Sequence, residues 1–253
     1  MARFPSDGGA GFLIGGFAQK KFELRSKNTA PKMEDKIEKI KDIVQQELSC
    51  SAHDLEHSKR VYNNCIKLAE NESVNLIILK AAALLHDIAR TEEDKDQTGN
   101  TDHALIGAEK AEKILKELDF SKEEIEAIKH CIVSHRFRNN QEPKTKEAQI
   151  LFDADKIDSV GAIGIARSFI WVGKNNAKMY TDIDIEKYVN ENLGGDPNSR
   201  IRNKTKHSPQ IEFETKFKNL ANSLYTEKGR KLCQERIDFY KNFLNQLEKE
   251  ILE

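Results

Sequence analysis

Apolar residues recur at intervals of three and four along most of the chain, and strand-like alternation is sustained nowhere. Met33, Ile37, Ile40, Val44 and Leu48 form one stripe and predict a helix over 33–48. A second helix over 52–69 carries His57, Val61, Cys65 and Leu68 on one face. The segment 74–89 is the most apolar of the chain and is expected at the centre of the fold. Residues 91–101 are charged and read as a loop. Asp102 is placed to cap a helix running to 118, and Ser121 with Glu124 forms a capping box for a helix reaching about 138. A polar loop with Pro143 precedes one long, mainly apolar helix over 148–172. Residues 192–209, with Gly194, Gly195, Pro197 and Pro209, read as a loop and a candidate flap, whose basic residues Arg200, Arg202, Lys204 and Lys206 suit phosphate. Further on, Phe213, Phe217, Leu220 and Leu224 keep helical spacing. Ile237, Tyr240, Leu244, Leu247 and Ile251 follow a 3-4-3-4 spacing that suits packing on the body or on a second subunit, so a homodimer is allowed.

The expected class is therefore all-α. The 253 residues suffice for one large helical domain over 33–253, with a core at about 50–172 and a C-terminal helical part at about 180–253. Charge narrows the partners. Basic and acidic residues number 41 and 42, and the net charge of −1 carries no footprint for nucleic acid or an anionic membrane. No run approaches the roughly 20 apolar residues of a membrane span. The four cysteines form no close pair, which argues against a zinc ribbon and suits a reducing, cytoplasmic setting. Residues 1–32 differ in kind, with five of the chain's 13 glycines between Gly8 and Gly16 and basic residues after them. They read as a disordered extension, with an organellar targeting segment as the alternative.

Candidate chemistry gathers on the apolar faces. Six of the seven histidines lie between His53 and His135. His53 and His57 share a helix face, with His57 pointing inward. His86 and Asp87 end the most apolar helix, where a carboxylate opposes the helix dipole and is costly unless paired. A divalent cation removes that cost, since imidazole and carboxylate suit Mn2+, Fe2+, Co2+, Ni2+ or Zn2+, with Mg2+ a further candidate. Asp153, Asp155 and Asp158 interrupt another apolar stretch. Asp155 and Asp158 share a stripe with Leu151, Ala162 and Ile165 and are expected to face inward. Asp153 is expected to face solvent. His103 heads an apolar face with Gly107 and Ala111. Of His130 and His135, the latter is the better inward candidate. His207, in the loop, is expected to be structural or to face substrate.

The ordered set His57, His86-Asp87 and Asp155, in the contexts His57-Ser-Lys-Arg-Val61, Leu-Leu-His86-Asp87-Ile88 and Ala154-Asp155-Lys156-Ile157, resembles the HD superfamily of metal-dependent phosphohydrolases. The runs His53-Asp-Leu-Glu-His57 and Asp153 to Arg167 look like a subgroup of nucleotide pyrophosphohydrolases. The resemblance implies an HD-domain helical core with additional C-terminal helices and one or two divalent cations. It implies His57, His86, Asp87 and Asp155 as ligands, Asp87 as a proton acceptor, and a nucleotide or other small phosphate ester or anhydride as substrate. His53, His103, His130, His135, Lys156, Asp158 and Arg167 are candidates for substrate or a second ion, and Arg136 for charge compensation. Several relatives carry an acid four residues after the doublet histidine, where this chain has Arg90, which leaves the general base open. The same fold also hosts di-iron oxygenases, and a non-catalytic nucleotide sensor is the third alternative.

Overall fold

A computed structural model describes residues 33–48, 55–96, 98, 100–136, 141–197 and 199–253. The N-terminal extension and His53 lie outside them. Among the described residues all regular structure is helical. The helices are α1 (Met33–Leu48), α2 (Leu55–Ala69), α3 (Leu76–Leu85), α4 (Arg90–Lys95), α5 (His103–Glu117), α6 (Lys122–Ser134), α7 (Lys146–Ile157), α8 (Gly161–Lys174), α9 (Ile185–Asn192), α10 (Pro209–Glu212) and α11 (Glu227–Leu252).

α3 is the hub, packed by α1, α2, α6 and α7. Its Leu79 and Ala81–Leu85 stretch is buried all round, because small alanines let four helices approach one apolar rod. Polar caps fix where the helices begin. The Asn75 side chain accepts from the Ile77 and Ile78 amides, Asp102 from Ala104, and Thr145 from Ala148, while Ser121 and Glu124 form the expected capping box. Each such cap contributes about 1 kcal/mol.

The structure departs from the sequence pattern at several places. The expected helix over 148–172 is broken into α7 and α8. Asp158 ends α7, the chain turns through Ser159 and Val160, and Gly161 starts α8 with φ +76°, a conformation that favours glycine. A Cβ on Gly164 would stand 2.2 Å from the Ser159 carbonyl oxygen, so this glycine serves the turn itself. Ala162 and Ile165 are therefore not on one helix with Asp155 and Asp158. The charged stretch 91–101 contains the short helix α4. α6 stops at Ser134, with His135 as its C-cap. Phe213–Phe217 forms a π turn and Leu220–Ser223 a 3-10 turn in place of a regular helix.

The C-terminal seam packs on the body. α11 lies against α8 and α7 and buries Cys233, Ile237, Tyr240 and Leu244, while Ile251 and Leu252 remain exposed. Asp153, expected at the surface, is fully buried in this contact. Its Oδ1 accepts from the Tyr225 amide at 2.9 Å, and its Oδ2 accepts from the Thr226 amide at 2.7 Å and the Thr226 hydroxyl at 2.6 Å. α7 is thus covered on the site side by α2 and on the Asp153 side by α11. No described helix is long and apolar enough to cross a membrane.

Residues 192–209 fold back on α9. The Asn192 side chain accepts from the Asn203 amide and donates to its carbonyl, and Ile211, Tyr188 and Leu193 form a small second core beneath. His207 is buried and structural in its contacts, with Nδ1 against the Tyr188 hydroxyl at 2.8 Å and Nε2 against Glu212 at 2.7 Å.

Candidate metal centre

The chemistry-bearing residues sit at helix ends around the hub. His57 comes from the first turn of α2. His86 and Asp87 stand where α3 ends and the chain turns. His103 opens α5, His135 closes α6, and Asp155 lies in the last turn of α7. Helix ends leave the chain free to turn, so these side chains project into one space instead of covering one another.

All four imidazoles are held by Nδ1. His57 Nδ1 donates to Asp158 at 2.8 Å, His86 Nδ1 to the Ala83 carbonyl at 2.9 Å, His103 Nδ1 to Glu93 at 2.6 Å and His135 Nδ1 to the Ile132 carbonyl at 2.5 Å. A proton on Nδ1 leaves Nε2 with its lone pair in the neutral ring. The four Nε2 atoms converge: His57 lies 3.3 Å from His86, and His103 lies 3.2 Å from His135. With the rings neutral, two facing lone pairs at such distances cannot bond to each other, whereas a cation between them satisfies both.

Two carboxylates complete the set. Asp155 Oδ1 is 3.3 Å from His57 Nε2 and 4.0 Å from His86 Nε2. Asp87 stands between the pairs. Its Oδ2 lies 3.6 Å from His57 and 3.7 Å from His86, and its Oδ1 lies 3.0 Å from His103 and 3.7 Å from His135. The donors fall into two groups able to hold a cation, one of His57, His86 and Asp155 and one of Asp87, His103 and His135. Neutral imidazole with carboxylate fits a divalent ion in each.

The electrostatics agree with a site built for positive charge. Burial works against ionised Asp87, but His86, His103 and His135 hold its carboxyl well below the usual range. Burial likewise opposes ionised Asp155, which Lys156 and His57 hold low. Burial lowers His86 to about 4, so that ring is neutral and ready to ligate. For His57, burial opposes the charged form while hydrogen bonds to Asp155 and Asp158 raise it to about 9, so the proton there stands where a cation would.

The supporting groups are equally well held. Asp158 accepts from Arg60 Nε at 2.8 Å and from Arg167 Nη1 at 2.8 Å, which fixes the acceptor for His57. Glu93 accepts from His103 and, through its two oxygens, from Arg136 at 2.9 and 3.2 Å. Burial opposes its charge, but these partners bring it to about 2. A third grouping, Glu93, Asp102 and His103, is already bridged by Arg136 and by the His103 Nδ1 proton, and needs no ion. Lys156 spans Asp155 and the His135 carbonyl at 2.7 and 2.9 Å. His130 is not brought to the centre, because its Nε2 accepts from the Lys144 amide at 3.0 Å. Beyond the sequence pattern are the part of Arg60 and that of Glu93, an acid near Arg90 that serves as the acceptor for His103. Arg60 stands one turn from His57 on the same face, a signal that was available, whereas Glu93 sat in a stretch read as loop.

A cavity of about 570 Å³ opens beside His57 and is lined there by Arg90 and Arg167. Arg90 Nη1 lies 3.5 Å from His103 Nδ1, a nitrogen whose proton is already given to Glu93, so no hydrogen bond forms there.

Comparison with known proteins accords with this geometry. The HD domain family profile matches residues 54–160, the span from α2 to the end of the α7 turn. Residues 54–160 thus carry the match to an HD domain. An HD-superfamily hydrolase from Bacillus thuringiensis matches with a TM-score of 0.62 and 28% identity, over 87% of this chain and 98% of that one. YpgQ of Bacillus subtilis, an uncharacterized protein, is 28% identical over 220 residues, which is 85% of this chain and 93% of YpgQ. The crystal structure of YpgQ in complex with ADP matches with a TM-score of 0.64 and 25% identity, over 86% of this chain and 96% of that one. The HD domain match, the similarity to an HD-superfamily hydrolase and the six-residue donor set together support a metal-dependent phosphohydrolase in general terms.

Proposed function

We propose that the chain hydrolyses a nucleotide at a phosphoanhydride or phosphate-ester bond, with His57, His86 and Asp155 holding one divalent cation, His103 and His135 a second, and Asp87 contributing one oxygen to each. The observation that carries this reading is the position of Asp87, whose two oxygens face the two histidine pairs while the cavity opens beside them. A bound cation lowers the pKa of its water toward neutrality and polarises phosphorus. The side chains do the rest. Asp87, the carboxylate shared by both donor groups, would accept the one proton that the attacking water releases. Arg167 and Arg90, at the mouth beside His57, meet the charge that grows on the phosphoryl oxygens. Arg90 replaces the acid expected at its position, so its part is to bind anions rather than to take a proton. Asp158, Glu93 and the carbonyls of Ala83 and Ile132 hold each imidazole by Nδ1, fixing the tautomer that ligation needs. The binding of ADP by YpgQ supports a nucleotide as the substrate class.

The test is a panel of nucleoside mono-, di- and triphosphates with Mn2+, Mg2+, Co2+ or Ni2+ added, assayed for phosphate and pyrophosphate. Turnover is expected in the parent and not in His86→Ala or Asp87→Ala, both with helical circular dichroism intact. Undiminished turnover in both variants sinks the assignment.

A further inference from the structure

Beyond the metal end, the cavity changes character. α8 lines it with Gly164, Arg167, Ser168, Trp171 and Lys174, residues three and four apart and hence on one face. Arg167 stands at the centre, its Nη1 3.4 Å from His57 Nδ1 and 2.8 Å from Asp158. Trp171 lies one turn further along, about 6 Å by the helical rise. Beside it the lining continues with His207, Pro209, Phe217 and Ile201. Trp171 meets His207 edge to face with ring centroids 5.2 Å apart, and His207 is pinned on both ring nitrogens by Tyr188 and Glu212. Trp171 and His207 thus form an aromatic corner on the cavity wall, one helical turn from Arg167.

Resting on the phosphohydrolase reading above, we infer that Trp171 and the wall of His207, Pro209 and Phe217 form the subsite for the substrate's nucleobase. The spacing matches a molecule with an anionic end and a flat aromatic end joined by one sugar. A fixed indole supplies stacking area with little conformational entropy to lose. Because stacking tolerates any π face, the indole selects for the presence of a base more strongly than for its identity. Trp171 is therefore a specificity-determining residue that separates nucleotides from other phosphoanhydrides sharing the same metal chemistry.

Trp171 is the chain's only tryptophan, so its fluorescence reports this subsite alone. The Mn2+-loaded full chain would be excited at the red edge of the indole band and titrated with α,β-methylene ATP, and separately with inorganic tripolyphosphate. The ATP analogue is expected to change the emission saturably, and tripolyphosphate to compete for binding while leaving it unmoved. By calorimetry, Trp171→Ala should weaken the ATP analogue about tenfold or more and tripolyphosphate by less than about twofold, while Trp171→Phe recovers most of the loss. Binding of the analogue with the emission unmoved, or equal loss for both ligands in Trp171→Ala, overturns the inference while leaving the hydrolase reading intact. A saturable response without turnover of any nucleotide overturns the hydrolase reading and leaves the base subsite standing.

Discussion

Asp153 should be one of the most destabilising positions in the chain to change, although it touches neither the metal centre nor the cavity. Its two oxygens accept from three donors, the amides of Tyr225 and Thr226 and the Thr226 hydroxyl, at 2.6 to 2.9 Å. Thr226 in turn caps α11 through its hydroxyl, which accepts from the Gly229 amide at 3.0 Å. Asp153→Ala leaves three donors without an acceptor where water is excluded. At roughly 1–3 kcal/mol for each unmet group, with partial relaxation, the loss is about 3–5 kcal/mol. It also removes a negative charge from the start of a 26-residue helix, worth a further ~0.5 kcal/mol. Asp153→Asn keeps the shape and one acceptor oxygen but turns an NH2 toward donors, so about 2–3 kcal/mol should be lost. Against a typical domain stability of about 5–15 kcal/mol, either change is large. The assay is urea unfolding followed by helical circular dichroism, with the exposed Lys59→Ala as a control that should move by less than about 0.5 kcal/mol. If both Asp153 variants unfold within about 1 kcal/mol of the parent, the carboxylate is not the junction between α7 and α11, and the argument fails.

Further outcomes follow from the site and its surroundings. The parent should bind about two transition-metal ions per chain, and His103→Ala or His135→Ala should reduce this to about one, as read by elemental analysis after desalting. Loss of both ions in those variants would show that the two donor groups do not act separately. Glu93→Gln should weaken metal binding by about 10–100-fold, since the carboxylate sets the His103 tautomer, and an unchanged affinity by competition titration would remove that role. Arg90→Ala should lower kcat/KM for nucleotides by about tenfold or more while metal content stays constant. Glu212 gives a pH dependence. Burial opposes its charge, but His207 and Lys216 bring it to about 2, below the ordinary 4.5. A depressed carboxyl stabilises the fold above pH 4.5, and the contribution is lost as pH falls toward 2. Glu212→Gln should therefore be less stable than the parent at pH 7, by about 3 kcal/mol at most, with more than half of the gap gone by pH 3. A gap independent of pH would refute the linkage.

What was legible in the sequence was the placing of polar groups against apolar patterns. His57 sits on a stripe with Val61 and Cys65, and His86-Asp87 ends a helix of alanines and leucines, so a carboxylate stood where the dipole disfavours it. Such conflicts between local preference and residue type mark sites, and the structure brings these residues together. What failed were the features decided by distant partners. Asp153 looked solvated because helical periodicity has one inside and one outside, yet α7 has cover on both, and the groups that meet Asp153 lie 72 and 73 residues further along. The break after Asp158 carried no proline to announce it. Gly161 and Gly164 hinted at the turn, but glycines within an apolar run read equally well as a close helix contact. Glu93 was hidden by a short helix whose sequence, Arg-Thr-Glu-Glu-Asp-Lys, has no apolar face.

The ligand set alone does not choose between hydrolysis and oxygenation, since two carboxylates and four imidazoles suit two irons as well as two manganese ions. The choice lies in the cavity. Arg90, Arg167 and Lys174 line it, beside the Lys216–Glu212 ion pair, which favours a negatively charged substrate. An oxygenase needs a substrate bond to oxidise near the ions, and its chemistry does not itself call for cations spaced along the wall. A phosphoanhydride needs them, because the bond that breaks leaves charge on both sides. The basic lining and the bridging position of Asp87 answer two different demands of the same reaction, and that is the ground for preferring phosphoryl chemistry at this centre.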